Sequence, residues 1–525
     1  MEEMMRDRRY VVVFDVGTGS GRCLIFDFQG RELAECHREW TPQTLPQYPG
    51  SRDFDTRASW LLLKECLRDA LKCSGIRPEE IAGVTGTSMR EGFVLYDLRG
   101  REIWGCPNTD ARAGEEGREL IEQGVGEKVF QEGGDWFAIH AMPRLVWIRK
   151  KQPDIFHRAR HLTMLGDWVV YKLTGEYTTT PSLGSSSGLF SLQKRSWSPR
   201  SVAVCDMDLS VFPPVYESGT LVGEVTSEAA AETGLLAGTP VYTSGGDTML
   251  ACLGVGTTDP YAYTVVGGSF WQTTMITPAP LIDPKIRLRT HCHILPGFWM
   301  TEGFGFLNGM AVRWFRDAFC QHEMAEAEKL GISAYEFLER EAATVPPGSH
   351  GIIATFSDIM NARTMKHATP SFLGFDIFSP ETSGKKECYR SLLENAAYVA
   401  YGHALILEEL TGQMCEEATF CGGASRGILW PQIVTDVTGA RLRIPEVKEA
   451  TALGAAMCVL KGLGVYGGFA ETARTIVRWE REVEPNQERH QRYRELFTHW
   501  KSVYREVLEL GNRGLLEYLW KAPGL

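Results

Sequence analysis

Twice along this chain a short apolar run stops at a glycine-rich turn and a second apolar run follows at once. The first copy is Tyr10-Val11-Val12-Val13-Phe14, whose β-branched residues read as a buried strand. It ends at Asp15, enters Gly17-Thr18-Gly19-Ser20-Gly21 and resumes over residues 23–28. The second copy is residues 261–266, then Gly267-Gly268-Ser269, then residues 270–274. So much glycine rules out regular structure in the turns and bares their backbone N–H groups. A repeated strand, glycine turn and strand predicts two related α/β domains, each offering a turn to a shared cleft. A chain of 525 residues exceeds one ordinary core in any case. The expected division is 1–256 and 257–525.

The elements around these units read in the same way. Gln29-Gly30 marks a turn into a third strand over 32–40. Trp60, Leu63, Leu67 and Leu71 form the stripe of an amphipathic helix over 57–73, and strands follow at 81–85 and 92–96. A strand over 239–243 stops at Gly245-Gly246-Asp247 ahead of a helix over 248–255. Ala418-Thr419-Phe420 is a short strand before Cys421-Gly422-Gly423-Ala424-Ser425-Arg426-Gly427. The run Lys448-Glu449-Ala450-Thr451-Ala452-Leu453-Gly454-Ala455-Ala456 is a helix lined with small residues, a surface for close packing.

Composition removes several function classes. A net charge of −11 argues against a nucleic-acid binder, which shows a basic face. No stretch approaches the roughly 20 apolar residues that span a bilayer. The start, Met1-Glu2-Glu3-Met4-Met5-Arg6-Asp7-Arg8-Arg9, lacks the apolar core of a secretion signal. The 13 cysteines are scattered without a C-x-x-C pair, as in a reduced, cytoplasmic protein. In His291-Cys292-His293, neighbours on a strand point to opposite faces, which does not suit one ion. Monomer and homodimer both remain open, and no segment signals a protein partner.

Four motifs carry chemistry. Gly17, Thr18, Gly19, Ser20 and Arg22 have the donors of a phosphate cradle, and Asp15 at the strand end is placed to hold Mg²⁺ through water. The segment is neither a Walker loop nor a dinucleotide fingerprint, and a plain turn with a solvated Asp fits it equally well. Gly245-Gly246-Asp247 describes a general base at a strand end with room for substrate, or a helix start capped by Asp. Gly268 and Ser269 read as a second phosphate turn or a bulge. The glycines at 422 and 423 read as a flat seat for a nucleotide base or a tight strand-to-helix turn.

Their order along the chain resembles the FGGY family of carbohydrate kinases, over nearly the whole length. The likeness is carried by residues 422–433, by Met142-Pro143-Arg144-Leu145-Val146-Trp147 (with Arg144 where Lys is more usual) and by Gly166-Asp167-Trp168 with Leu173-Thr174-Gly175-Glu176. The resemblance implies two actin-like, ribonuclease-H-like domains closing around ATP, Mg²⁺ and substrate. It implies Asp247 as catalytic base, also near the metal, and Arg90 and Glu91 as the substrate-holding pair, with Trp104, Asp110 and Thr248 in the pocket. It implies Gly17, Thr18, Gly19, Ser20, Arg22, Gly268 and Ser269 on the phosphates, and Gly422, Gly423, Ala424 and Gln432 near adenine. Four further stretches, at 88–92, 313–320, 447–454 and 519–525, are similar to one branch of the family and imply a small open-chain dihydroxydiketone acceptor. Kinases of xylulose, erythrulose or glycerol type are the alternative within the fold. Outside it stand an actin-like ATPase switch, which would need no Arg90, Glu91 and Asp247 in one cleft, and a non-catalytic sugar sensor.

Overall fold

The structure, a computed structural model, describes residues 8–136, 140–359 and 361–522. The extreme amino terminus and Pro523-Gly524-Leu525 of the C-terminal stretch lie outside the described residues. We number only the strands of the two central sheets and the helices that bear on the site. The first sheet contains β1 (Tyr10–Val16), β2 (Ser20–Asp27), β3 (Glu32–Glu39), β4 (Ile81–Ser88), β5 (Leu221–Glu224) and β6 (Pro240–Tyr242), in the order β5-β6-β4-β1-β2-β3. The second contains β7 (Tyr263–Gly267), β8 (Trp271–Thr277), β9 (Arg289–Cys292), β10 (Trp299–Gly305), β11 (Glu417–Cys421), β12 (Arg441–Pro445) and β13 (Trp479–Val483), in the order β9-β10-β8-β7-β11-β12-β13.

The duplication read in the sequence extends beyond the hairpins. In the first sheet, β1, β2 and β3 form an antiparallel meander, while β4 and β6 run parallel to β1 on its other side. In the second, β7, β8 and β10 repeat the meander, and β11 and β12 repeat the parallel pair. The two five-stranded cores therefore share strand order and direction. This is the mixed α/β arrangement expected for a pair of actin-like domains.

Parallel neighbours need a crossover, and a helix supplies it in each half. Helix α1 (Thr56–Ser74) lies between β3 and β4. It starts where the Asp55 side chain accepts from Ala58 N at 2.9 Å, buries Trp60, Leu63 and Leu67, and ends at Gly75 in the left-handed region. Its counterpart between β10 and β11 is α3 (Lys385–Thr411), with α2 (Asp247–Gly254) intervening earlier in the chain.

Two late helices complete the layout, α4 (Leu429–Thr438) and α5 (Ala450–Gly462). Although α5 follows a strand of the second sheet, it packs in one core with Val11, Val13 and Leu24 of the first sheet, and with Leu250 and Leu253 of α2. Ile276 and Met300 of the second sheet join the same cluster. The small residues of 450–456 are thus a packing surface, and α2 is what they receive. A Cβ on Gly254 would stand 2.0 Å from Ala450 O, and one on Gly454 would stand 2.0 Å from Leu250 O. No helix among the described residues is long and apolar enough to cross a membrane.

Element ends differ from the sequence reading in ways that matter for the site. Strand β2 begins at Ser20, because Arg22 pairs in register with Asp15 and Gly21 with Val16. Strand β8 begins only at Trp271, which leaves Phe270 in the turn. Helix α2 begins at Asp247 with Gly246 as its N-cap, so Asp247 does not cap the helix in the usual position.

Candidate active site

A cavity of about 650 Å³ is walled by both sheets. The β1–β2 hairpin brings Asp15, Gly17, Thr18 and Arg22 to it; the end of β4 brings Arg90 and Glu91; α2 brings Asp247 and Thr248. From the second half come Phe270 and Gln272, Arg289, Glu302 and Phe304, and Thr451 at the start of α5. A hollow of about 900 Å³ elsewhere is bordered by Glu127, Lys194 and Arg200, and no residue singled out in the sequence faces it.

Asp247 is held from several directions. Its Oδ1 accepts from Thr248 N at 2.7 Å and from Thr248 Oγ1 at 3.3 Å. Thr451 Oγ1 donates to its backbone carbonyl at 3.3 Å, and Gly246 N donates to Ser182 Oγ at 3.2 Å. Arg90 Nε lies 3.7 Å from Asp247 Oδ1. The room left by glycine at 246 is filled by Arg90, whose Cγ lies 3.1 Å from where a Cβ would stand. The Asp247 side chain is 39% exposed and lines the cavity. Burial raises its pKa above the usual carboxylate value, against the pull of Arg90 and of Thr248. A raised carboxylate pKa strengthens a general base.

Behind this surface lies a buried ionic network that sequence reasoning missed. Glu302 accepts from Arg90 Nη1 at 2.7 Å, and Arg289 Nε lies 2.7 Å from the same oxygen. Burial alone would raise the Glu302 pKa, but Arg289 and Arg90 outweigh it and hold the group at about 2. Arg289 Nη1 also stands 3.6 Å from Glu91 Oε1 and 3.6 Å from Asp135 Oδ2. Asp135 in turn meets His140 at 2.8 Å and His291 at 3.3 Å. His291 faces this network, while His293, just past the end of β9 at Cys292, uses its Nδ1 to accept from Leu295 N. Nothing in the spacing of Asp135, Arg289 and Glu302 announces this meeting.

Glu91 has φ of 65°, an unusual conformation for a residue with a Cβ. Arg144 secures that bend, donating to Glu91 O at 2.8 Å, Asn108 O at 2.7 Å and Asp110 O at 3.0 Å. The landmark Arg144 of the sequence is therefore a buried tie between the two acceptor-side loops. Asp110 reaches the cavity, with Oδ1 taken by Arg112 Nε at 2.7 Å and Arg52 N at 2.8 Å. Trp104 does not line the cavity. Its ring packs on Phe93 at 5.1 Å and under the Arg112 guanidinium, one layer behind Asp110.

On the phosphate side, Gly17 and Thr18 line the cavity while Gly19, Ser20, Gly268 and Ser269 do not. Thr18 Oγ1 donates to Asn108 Oδ1 at 3.0 Å. Arg22 is paired on both sides, with Asp15 and with Glu449, so its guanidinium is not a free phosphate donor here. Burial raises the Asp15 pKa; Arg22 opposes, and the charges of Asp247 and Glu449 add to the rise. Gly422, Gly423 and Ala424 lie outside the cavity but close on the second hairpin: Ala424 Cβ is 2.7 Å from where a Cβ on Gly267 would stand. Gln432, on α4, donates to Asp436 Oδ1 at 3.0 Å and Glu484 O at 3.2 Å, which turns it toward β13.

Among the described residues, no three His, Cys, Asp or Glu side chains converge into a metal cage. Mg²⁺ held largely by phosphates and water needs only one or two carboxylates. Asp15 and Asp247, which face one cavity and of which Asp247 raises the proton affinity of Asp15, fit that demand.

Comparison with known proteins agrees with this geometry. The family model described as "FGGY family of carbohydrate kinases, N-terminal domain" matches residues 10–254, and the C-terminal domain model of that family matches 262–462. Two similar curated proteins, both named autoinducer-2 kinase, come from Salmonella paratyphi A and Yersinia enterocolitica. Each is 43% identical over 98% of this chain and 98% of its own length. Among solved structures, xylulose kinase from Rhodospirillum rubrum superposes with a TM-score of 0.84 at 24% identity, covering 96% of this chain and 100% of the other. Glycerol kinase from Plasmodium falciparum with ADP gives 0.82 at 17% identity, covering 94% and 98%.

Proposed function

This chain belongs to the FGGY family of carbohydrate kinases, and from that premise we propose that it phosphorylates autoinducer-2 with ATP. The acceptor would be the open-chain form, (S)-4,5-dihydroxypentane-2,3-dione, and the product a phosphorylated quorum-sensing signal. The near-complete similarity to two autoinducer-2 kinases supports the choice of acceptor. The observation that carries the chemistry is Asp247, raised in pKa and open to a cavity in which Arg90 is already held by Glu302.

Phosphoryl transfer asks a protein for positioning and charge more than for covalent work. Asp247 accepts the proton of the terminal hydroxyl as its oxygen attacks the γ-phosphorus; the new O–P bond forms while the bond to the β-phosphate oxygen breaks, and ADP leaves. Arg90 and Glu91 orient the acceptor oxygens. The Gly17–Thr18 backbone borders the phosphate end, and the turns at 267–269 and 422–424 border the nucleotide. Magnesium, carried by Asp15 with Asp247 nearby, would neutralise charge on the phosphates. Closure of the two halves excludes water as a competing acceptor. A cytoplasmic location is supported by cysteines that are all free thiols.

The test is ADP release in a coupled assay with dihydroxypentanedione, xylulose, erythrulose and glycerol at equal concentration. Fastest turnover of dihydroxypentanedione is expected. Faster use of another acceptor reassigns the substrate, and ATP hydrolysis without any acceptor would turn the reading to an actin-like switch.

A further inference from the structure

The cavity has one stretch of wall without charge, and the far end of the chain completes it. Trp520–Lys521 pairs antiparallel with Lys366–His367. Leu519 N donates to His367 O at 3.0 Å and Ala522 N to Met365 O at 3.0 Å, and Ala522 is buried against Met365. This strap lays the Trp520 ring on Phe306, with centroids 4.3 Å apart and planes at 28°. Phe306 meets Phe270 at 5.1 Å and Phe304 at 5.1 Å. All four rings face the cavity. His367 beneath them is buried, with its pKa lowered to about 4, so it adds no charge at neutral pH.

The patch is continuous with the acceptor-side charges. The Arg289 guanidinium stands 5.2 Å from the centroid of the Phe304 ring. Arg289 also contacts the Glu302 that holds Arg90 beside Asp247. A small molecule with a hydroxyl at Asp247 and its oxygens at Arg90 and Glu91 would carry its other end toward these rings. An end group there meets the four aromatic rings, which offer no hydrogen-bond acceptor other than their π faces.

We propose that this aromatic patch, completed by Trp520 of the C-terminal strap, selects acceptors by their far end, favouring a methyl over a hydroxymethyl group. The inference rests on the acceptor site proposed above, and it gives that site a reason to prefer dihydroxypentanedione, whose C1 is a methyl. Xylulose and glycerol end in hydroxyls that the rings cannot satisfy. A difference of one such group in an apolar pocket is worth about 10- to 200-fold in kcat/KM.

The experiment compares 1-deoxyxylulose with xylulose, which differ only in that end group, on the full-length protein. They are read as kcat/KM where turned over and as competition against dihydroxypentanedione otherwise. Wild type is expected to prefer the deoxy sugar by at least ~10-fold, mostly through KM. Trp520→Ala should reduce that preference to about threefold or less. Trp520→Gln, which keeps much of the bulk but adds polar atoms, should do the same with KM for ATP and the melting temperature unchanged, and it carries the test if the alanine variant folds poorly. No preference in wild type, no interaction with either sugar, or a preference that survives both substitutions would overturn the proposal. A wild type that ignores dihydroxypentanedione yet favours the deoxy sugar would reject only the substrate assignment.

Discussion

Replacing Gly454 by Ala tests whether the late helix α5 sets the position of the catalytic carboxylate. The added methyl would stand 2.0 Å from Leu250 O on α2, whereas real contacts of this kind stay beyond 3.0 Å, so the two helices must separate by about 1 Å. Neither side can yield by a rotamer change, because the obstacle is backbone. Helix α2 starts at Asp247, which Thr451 of α5 also anchors through its carbonyl. Arg90, by contrast, follows β4 and is tied to Glu302, so it does not move with α2. The displacement therefore opens the spacing between base and acceptor-binding arginine. A misplacement of about 1 Å costs on the order of 10²-fold in rate, and overpacking costs about 1–3 kcal/mol of stability. The assay is steady-state ADP release, with a thermal melt and nucleotide binding measured on the same sample. Gly468→Ala, where nothing lies within 4 Å of the added Cβ, is the control and should behave as wild type. A folded Gly454→Ala enzyme with kcat within about threefold of wild type, far short of that 10²-fold loss, would show that this contact does not place Asp247.

Four further outcomes follow from the charges in the cavity. Asp247→Asn should lower turnover at least ~10²-fold while ATP still binds, and near-normal turnover would remove Asp247 as the base. Because a base must be unprotonated and burial raises Asp247, the acid limb of kcat/KM should lie above the ordinary carboxylate range; Arg90→Gln, which removes a cation that lowers this pKa, should move the limb to still higher pH. Asp15→Ala should weaken the Mg²⁺ dependence of the rate, and an unchanged metal titration would count against Asp15. Glu302→Gln leaves two buried arginines without their shared anion and should cost about 3–5 kcal/mol near neutral pH. Since the folded pKa of Glu302 is about 2, below its ordinary 4.5, its contribution is present above the higher value and lost as pH falls through the lower. The stability gap between wild type and variant should therefore narrow between those two values in a denaturant series.

The strands and the duplication were legible because they are local: β-branched runs, a glycine turn and a second run predict a hairpin with no knowledge of partners. The same locality explains why Asp15, Gly17, Thr18 and Asp247 could be picked, each lying beside a turn at a strand or helix end, whereas Arg90, Glu91, Asp110 and Thr248 came only from the family resemblance. Trp104 and Gln432 were beyond such reasoning, since side-chain direction depends on what packs behind: Arg112 and Phe93 for one, Asp436 and Glu484 for the other. Glu302 and Arg289 sit on paired strands with no glycine turn, spacing or motif to mark them, and only the β9–β10 register brings them opposite each other. Trp520 is more distant still. Its part in the cavity depends on a two-residue pairing with Lys366–His367 across some 150 residues of chain.

What the missed residues add, beyond burial, is a second reason Asp247 can act as a base beside an arginine. An isolated Arg90 at 3.7 Å would stabilise the carboxylate and drag its pKa down, leaving a poor proton acceptor. Burial offsets most of that pull, and Glu302 adds to the offset: it takes Arg90 in a hydrogen bond of 2.7 Å, and its own negative charge raises the Asp247 pKa further. Arg289 then keeps Glu302 ionised in a place where burial would otherwise protonate it. The acceptor-orienting cation and the basic carboxylate can therefore share one floor, because a buried anion behind them divides the arginine's charge. A site built from the β4 loop and α2 alone would rely on burial to keep the base against Arg90; β9 and β10 of the opposite half add a buried anion to the same side of that balance.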